Sequence, residues 1–155
     1  MELKQSKKDM AIYKVGERDQ RPWGHYVVTA VGDDFCEKEI TVNPGQVLSL
    51  QSHEMRRETW TVVKGVLTVL IDGERSEVAA GKSVYIPEKA IHCMAALGDE
   101  PCTVKERQEG ICREEDIKRY IDAYGRGTET ARSPEAVKSI EAYNQILAEI
   151  KEAQQ

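Results

Sequence analysis

Residues 45–65 read GQVLSLQSHEMRRETWTVVKG, and their polar positions are the most informative in the chain. Gln51, His53 and Glu58 interrupt a run that is otherwise rich in Val, Leu and Thr. Residues two apart on a strand point to the same face, and a reversal through the intervening EMRR would return Glu58 beside the other two. The stretch therefore predicts three groups able to bind a metal that converge from adjacent strands.

A second segment, residues 81–95, reads GKSVYIPEKAIHCMA. Its strand-turn-strand pattern predicts that His92 joins the same cluster as a fourth group. A single His or Gln on a strand is usually only a hydrogen-bonded polar residue, which is the alternative for each of the four.

The surrounding sequence predicts one β-rich domain. A chain of 155 residues is long enough for one domain with a core and too short for two comfortable ones. Short runs of Val, Ile, Thr and Tyr, broken by turn sequences such as GDD, NPGQ and AAGK, predict a sandwich or small barrel between residues 24 and 104. Asp72-Gly73 between strand-like flanks predicts a tight hairpin.

Two helices are expected after the strands. Residues 113–126, REEDIKRYIDAYGR, space their apolar residues as in a helix, and Gly125 is placed to end it. Ser133 and Pro134 predict the start of a second helix. Its apolar stripe either packs on the outside of the barrel or forms a homodimer contact. The stripe contains Ala136, Ile140, Tyr143, Leu147 and Ile150.

Composition and charge exclude several classes of partner. A net charge of -5 disfavours a broad nucleic-acid surface, although a local group of Arg and Lys can still bind one small anion. The longest apolar run is far shorter than the ~20 residues that cross a bilayer, so no membrane contact is expected. Residues 1–15 do not resemble a secretory signal, which favours the cytoplasm. Reduced, buried thiols are expected for Cys36, Cys93, Cys102 and Cys112.

Both segments have the spacing of the cupin motifs. The first motif is Gly, five residues, His-any-His, three or four residues, Glu, six residues, Gly; the second is Gly, five residues, Pro-any-Gly, two residues, His, three residues, Asn. Gln51 stands at the first His, and the segments RPWGHY, ITVNPGQVLSLQSH, RRETWTVVKG, YIPEKAIH and EEDIKRYIDAYGR occur in this order along the chain. Over about residues 21–126 the chain resembles the type II phosphomannose isomerases, including the isomerase domains of bifunctional mannose-1-phosphate guanylyltransferases.

The resemblance implies a fold and a domain organisation. The fold is an all-β, cupin-type jelly-roll barrel, also called a double-stranded β-helix, with C-terminal α-helices. Residues 1–20 would form an N-terminal arm, residues 21–126 the barrel with a short helix, and residues 127–155 the C-terminal helix.

The resemblance also implies a metal-dependent isomerase that interconverts mannose 6-phosphate and fructose 6-phosphate through an enediol or enediolate. Zinc is the expected ion, although such a nitrogen and oxygen ligand set also accepts manganese, iron, cobalt or nickel. The expected ligands are Gln51, His53, Glu58 and His92.

Four further residues are candidates for the chemistry. A catalytic base is expected at Glu106, which matches a family position, or at Lys38, which shares strand parity with Ile40 and Val42. For both, an outward-facing charge is the alternative. Phosphate binding is expected at Arg56, the family's Arg in the first motif, and at Arg126, because a guanidinium binds phosphate through two parallel hydrogen bonds.

Three departures from the family pattern motivate other hypotheses. Lys89 replaces the Gly of the second motif, at a cost of about 1 kcal/mol in a turn suited to Gly. Cys93 and Ala96 stand where many relatives have Arg and Asn. A cupin that binds a sugar phosphate or sugar nucleotide without turnover is therefore an alternative.

A non-haem metal oxygenase is a further alternative, because His53, Glu58 and His92 alone amount to a two-His-one-carboxylate set. Gln51 as a fourth ligand argues against it. Outside the motifs, His25 is expected to be structural, and the two tryptophans, Trp23 and Trp60, are expected to pack in the core or at its rim.

Overall fold

The computed structural model describes residues 13–113, 115–121, 123 and 132–155. Within these residues the chain forms twelve strands, followed by one helix, α1, over Pro134–Ala153. The strands are β1 (Arg18–Arg21), β2 (Gly24–Val31), β3 (Phe35–Val42), β4 (Gln46–Val47), β5 (Leu50–Ser52), β6 (Arg56–Lys64), β7 (Val66–Ile71), β8 (Glu74–Ala79), β9 (Ser83–Ile86), β10 (His92–Ala96), β11 (Cys102–Gly110) and β12 (Lys118–Ile121).

The strands form two antiparallel sheets in which early and late parts of the chain alternate. The first sheet has the order β1-β2-β3-β11-β6-β9, and the second has the order β12-β5-β10-β7-β8, with β4 also paired to β10. Interleaving of this kind is the arrangement of a jelly roll. The predicted all-β fold is confirmed.

The barrel interior is apolar at one end and polar at the other. On β6, alternate residues from Arg56 to Val62 are buried, as expected for a strand with one face inward. The register places Val62 opposite Val104 of β11, and Glu58 opposite Gln108. Antiparallel pairing therefore aligns the apolar parts of neighbouring strands and, separately, their polar parts.

Two turns adopt backbone conformations that the sequence indicates. Asp72 and Gly73 have φ angles of 48° and 83° and connect β7 to β8, which confirms the hairpin. Lys89 has a φ of 68°, in the left-handed region that the family's Gly would suit. Its amide donates a hydrogen bond of 2.7 Å to the carbonyl of His53, so this turn touches the polar end of the barrel.

The short helix predicted in residues 113–126 is wrong over Lys118–Ile121, which form β12 and pair with β5. The apolar spacing has another origin, because the apolar side chains of this segment lie on both of its sides. Ile117 faces the cavity, while Tyr120 and Ile121 pack against the outer cluster beneath α1. Apolar residues on both faces of an edge strand imitate helical spacing. The expected end of that helix, at Gly125, lies outside the described residues.

The C-terminal helix begins as predicted and covers the second sheet. The amide of Ala136 donates to the Ser133 hydroxyl over 3.0 Å, and Pro134 occupies the first turn. Tyr143 and Ile146 are buried in a cluster with residues of β5, β7 and β10, and the Tyr143 hydroxyl donates to the carbonyl of Leu48 over 2.9 Å. The apolar stripe thus packs within the chain, and the homodimer stays a prediction.

The four cysteines all lie in the described residues, and all are buried and free, as predicted. No helix among the described residues is both long and apolar enough to span a bilayer.

Candidate metal centre and cavity

Three buried side chains meet at the polar end of the barrel. His53 follows β5, Glu58 lies on β6, and His92 begins β10; each is 2% exposed. Ligand-capable atoms of the three lie within 4.8 Å of one another. The Nε2 atoms of His53 and His92 are 3.5 Å and 3.9 Å from the two carboxylate oxygens of Glu58. This His, Glu and His group could bind a metal ion.

Backbone carbonyls orient both imidazoles toward the cluster. His53 Nδ1–H donates to the carbonyl of Asp116 over 2.6 Å, and His92 Nδ1–H donates to the carbonyl of Ala90 over 2.9 Å. Each neutral ring therefore directs an Nε2 lone pair toward the cluster, where that of His53 also accepts a hydrogen bond of 3.1 Å from the Arg56 guanidinium. Burial lowers the pKa of His53 to about 4 and also lowers the pKa of His92, which keeps both rings neutral.

His92 provides the fit test for a metal. Its Nε2 atom is buried and has no hydrogen-bond partner among the described residues. A buried polar atom without a partner costs about 1–3 kcal/mol, so the position requires a group that accepts a lone pair. A divalent ion is such a group, and the donor set suits it.

Glu58 is held as a carboxylate. Arg56 Nε donates to its Oε1 over 3.1 Å, and Trp60 Nε1 donates to its Oε2 over 2.8 Å. Burial opposes ionisation, but the Arg56 guanidinium, the two neighbouring imidazoles and the Trp60 hydrogen bond together outweigh it, and the pKa of Glu58 falls to about 2. The Trp60 ring also meets His92 edge-on at 5.5 Å between ring centroids. Trp60 is thus a core aromatic, as predicted, that also fixes the carboxylate.

Gln51 lies beside this group, with its Cα opposite that of His92 in the β5–β10 register. Its Nε2 is 3.2 Å from His53 Nε2, and its Oε1 accepts a hydrogen bond of 2.7 Å from the Ser49 hydroxyl. A half-turn of the amide would exchange these two atoms and present oxygen to the cluster. Gln51 as the fourth ligand stays a prediction.

The cluster adjoins a cavity of about 110 Å³ that opens to solvent. The four candidate residues for the chemistry are Lys38, Arg56, Glu106 and Arg126. The first three line the cavity, so the outward-facing alternative for Lys38 and Glu106 does not apply; Arg126 lies outside the described residues.

Lys38 and Glu106 are register partners on β3 and β11, and both are buried. The Lys38 ammonium lies over the rings of Tyr13 and Tyr26, at 3.8 Å and 4.3 Å from their centroids. Burial lowers the pKa of Lys38 and, together with the negative charge of Glu58, raises the pKa of Glu106 to about 7. Glu106 can therefore gain or lose a proton near neutral pH.

Arg56 is deeper in the barrel than its predicted role requires. Besides Glu58, its guanidinium contacts His53 Nε2 and the carbonyl of Arg113, each at 3.1 Å. It is 6% exposed but still lines the cavity. The proposed phosphate contact stays a prediction.

Sequence reasoning missed several cavity residues. Gln108 is buried on β11 and donates to Glu106 over 2.5 Å; its parity with Glu106 was the available signal. Arg21 lies in the quoted RPWGHY segment and also lines the cavity. Arg119 faces the same cavity, a position visible only once β12 is recognised as a strand. Tyr13 belongs to the expected N-terminal arm and carries no motif.

The second-motif departures lie away from the cavity. Cys93 alternates with His92 on β10 and packs in the outer cluster beneath α1. Ala96 packs in the core between the sheets. A side chain at position 93 therefore points away from any ligand in the barrel. His25 is half-buried on β2 with parity opposite to the inward-facing Tyr26, and Trp23 is buried at the cavity wall.

Comparisons with known proteins identify the same fold and family. Solved structures of KdgF from a Halomonas species and of an RmlC-like cupin from Shewanella frigidimarina superpose with TM-scores of 0.55 and 0.56, at 20% and 17% identity. They cover 63% and 64% of this chain, and 86% and 87% of their own. At these identities they show the fold alone, and the cupin-type barrel is confirmed.

Curated relatives share more sequence. Mannose-1-phosphate guanylyltransferase of Escherichia coli is 40% identical over 115 residues, which are 74% of this chain and 24% of the relative. The alginate biosynthesis protein AlgA of Pseudomonas aeruginosa is 42% identical over 112 residues, 72% of this chain and 23% of the relative. The chain thus spans about a quarter of the length of these relatives. Residues 8–122 match the family described as "Mannose-6-phosphate isomerase C-terminal", and the chain belongs to that family.

Proposed function

We propose that this protein is a mannose-6-phosphate isomerase, which interconverts mannose 6-phosphate and fructose 6-phosphate. The observation that carries the proposal is a buried carboxyl and a buried amine, Glu106 and Lys38, on the wall of the cavity that adjoins the His53, Glu58 and His92 group. An aldose–ketose isomerase needs these two parts together, namely a proton carrier and a site that stabilises charge on the sugar oxygens.

Glu106 is the proposed proton carrier. A base for this reaction takes a proton from one carbon and returns it to the neighbouring carbon, so a pKa near the working pH suits both directions. The pKa of about 7 meets this requirement. Gln108 holds one carboxylate oxygen, which leaves the other for proton transfer. Lys38, its register partner, balances the negative charge that Glu106 carries when ionised.

The divalent ion would be held by His53, Glu58 and His92, with Gln51 as the proposed fourth ligand. When bound, it would supply positive charge for the negative charge that develops on the sugar oxygens, and zinc is the proposed ion. The residues around the ion would hold its carboxylate ligand: Trp60 and Arg56 keep Glu58 ionised and fixed in place. The buried setting strengthens every charge interaction.

Phosphate recognition is proposed for Arg56 and Arg126. The cavity wall carries the cationic side chains of Lys38, Arg56, Arg21 and Arg119, and Arg21 also pairs with Asp19 over 2.6 Å. An anionic sugar phosphate suits a wall with these cationic groups, and no broad positive surface is required in a chain of net charge -5. The position of Cys93 beneath α1 weakens the alternative of a binding protein without turnover, because an Arg at that place would not reach the cavity.

A coupled assay for fructose 6-phosphate, with mannose 6-phosphate as substrate, tests the proposal. Purified protein should turn over with added zinc and stop after chelation. The variants His53→Ala and His92→Ala should match the chelated protein, whereas His25→Ala, outside the cluster, should match the wild type. Oxygen uptake with another substrate, or the absence of metal-dependent turnover with mannose 6-phosphate, would contradict the proposal.

A further inference from the structure

One residue, Asp116, accepts hydrogen bonds from three consecutive residues of the loop between β5 and β6. Its carboxylate accepts hydrogen bonds from the amides of Glu54 and Met55, over 3.0 Å and 2.8 Å. Its backbone carbonyl accepts the Nδ1–H of His53 over 2.6 Å. The partners lie 61 to 63 positions away along the chain, so this contact exists only in the folded barrel.

The loop connects two groups of the candidate metal centre. His53 is the first residue of the loop, and Glu58 is the third residue of β6. The position of the loop therefore sets where the His53 ring stands relative to the Glu58 carboxylate. The carbonyl of Asp116 determines which ring nitrogen of His53 carries the proton, and that leaves Nε2 as the ligand atom. One residue controls both the position and the tautomer of one ligand.

We propose that Asp116 is a positioning residue of the metal centre: its carboxylate anchors the loop so that its carbonyl can hold His53 with Nε2 directed at Glu58 and His92. The inference rests on the proposed metal-dependent function. Loss of the carboxylate would release two amides of the loop, while the carbonyl would remain but no longer be fixed in place. The expected effect is a weaker metal site in a barrel that still folds.

The same segment offers a matched control. Lys118 forms a 2.8 Å ion pair with the Glu54 side chain, and both residues are exposed. This pair joins the same two parts of the chain as Asp116 but touches neither His53 nor the loop amides. Glu54→Gln therefore removes the ion pair between these two parts of the chain and keeps the hydrogen bonds from the loop amides to Asp116. Exposed pairs contribute little, so its metal affinity should stay within about twofold of the wild type.

The experiment measures zinc dissociation constants by competition with a chromophoric chelator, for the wild type, Asp116→Ala, Asp116→Asn and Glu54→Gln. Thermal unfolding of the metal-free proteins is recorded in parallel. Asp116→Ala should weaken zinc binding by about tenfold or more, as expected for residues that orient a ligand. Asp116→Asn keeps one acceptor oxygen, so its zinc dissociation constant should lie between those of the wild type and Asp116→Ala. Nitrogen-15 NMR of the metal-free wild type should show the Nδ1–H tautomer at His53, and Asp116→Ala should show a mixture.

The outcomes separate the two proposals. If the wild type binds no zinc, the metal centre itself is wrong. If the wild type binds zinc and a folded Asp116→Ala binds it equally tightly with an unchanged tautomer, only the role of Asp116 is wrong. If the alanine variant does not fold, Asp116→Asn decides by the same criterion. Equal weakening in Glu54→Gln would also overturn the inference, because any cross-link to the segment would then suffice.

Discussion

Glu106 is a buried carboxyl group, and its surroundings differ from those of a surface carboxyl in a way that changes its pKa. Lys38 faces it from β3, and Glu58 and Arg56 lie on β6, on the other side of β11. Burial and Glu58 raise its pKa, and the two cations oppose the shift, with a result of about 7. Such a group is a weaker acid than usual because burial disfavours its charged form, and it becomes a base only when the pH passes its pKa.

The pH dependence of turnover follows from this sign. Glu106 must be ionised to accept a proton, so kcat/KM should rise with pH up to about 7 and level off above it. Glu106→Gln should lower kcat by about 10²-fold or more and remove the rise, because the amide cannot carry the proton. The pH profile of kcat/KM for both proteins is the measurement.

Stability provides a control that does not depend on turnover. Between the ordinary carboxyl pKa of 4.5 and about 7, the folded protein binds a proton at Glu106 that the unfolded chain has lost. The free energy of unfolding therefore falls as pH rises through this window. In Glu106→Gln, the free energy of unfolding should decrease less with pH over this window. A variant with the wild-type pH profile in both measurements would show that Glu106 is not the group that titrates.

At the scale of single elements, the turn before β10 contains a residue poorly suited to its conformation. Lys89 has a φ of 68°, and its side chain is exposed, so its Cβ causes strain without a packing contribution. Lys89→Gly should raise the free energy of unfolding by about 1 kcal/mol, measured by urea denaturation. The hydrogen bond from its amide to His53 remains, so metal affinity should not change.

Lys82 is the matched control for this substitution. It is an exposed lysine in a neighbouring turn, and it is not among the described residues with a positive φ. Lys82→Gly should lower stability by about 0.5–1 kcal/mol, because Gly then adds only entropy to the unfolded chain. Stabilisation by both changes, or by neither, would show that backbone strain at Lys89 is not the cause.

The elements that sequence predicted correctly depend on local chemistry. The Asp72-Gly73 hairpin needs only the φ angles of two residues, and the start of α1 needs only the Ser133 cap. β12 was misassigned because its pairing to β5 and its contacts with the outer cluster beneath α1 are tertiary effects. The hydrogen bonds of Asp116 to the loop could not be predicted from the sequence for the same reason. Strand parity did locate Lys38, since alternation survives folding, whereas Glu106 was located by its match to a family position.

At the scale of the whole molecule, the candidate metal centre joins the two sheets. Glu58 belongs to β6 of the first sheet, His92 to β10 of the second, and His53 to the loop between β5 and β6. The apolar core closes the sheets through packing, and these three polar side chains lie buried beside it. A metal held by the three residues would therefore add bonds between the sheets to the packing of the core.

Metal binding should consequently stabilise the folded chain. A ligand that binds only the folded state at 100 times its dissociation constant adds about 2.7 kcal/mol, which raises the unfolding temperature by roughly 5–10 °C for a chain of this size. Calorimetry with zinc, and again after chelation, measures the shift. His92→Ala should lose the zinc-dependent rise, because it removes the only ligand from the second sheet in the His, Glu and His group, whereas His25→Ala should keep it. An equal rise in His92→Ala would mean that zinc stabilises the chain from another site, and the junction between the sheets would then rest on packing alone.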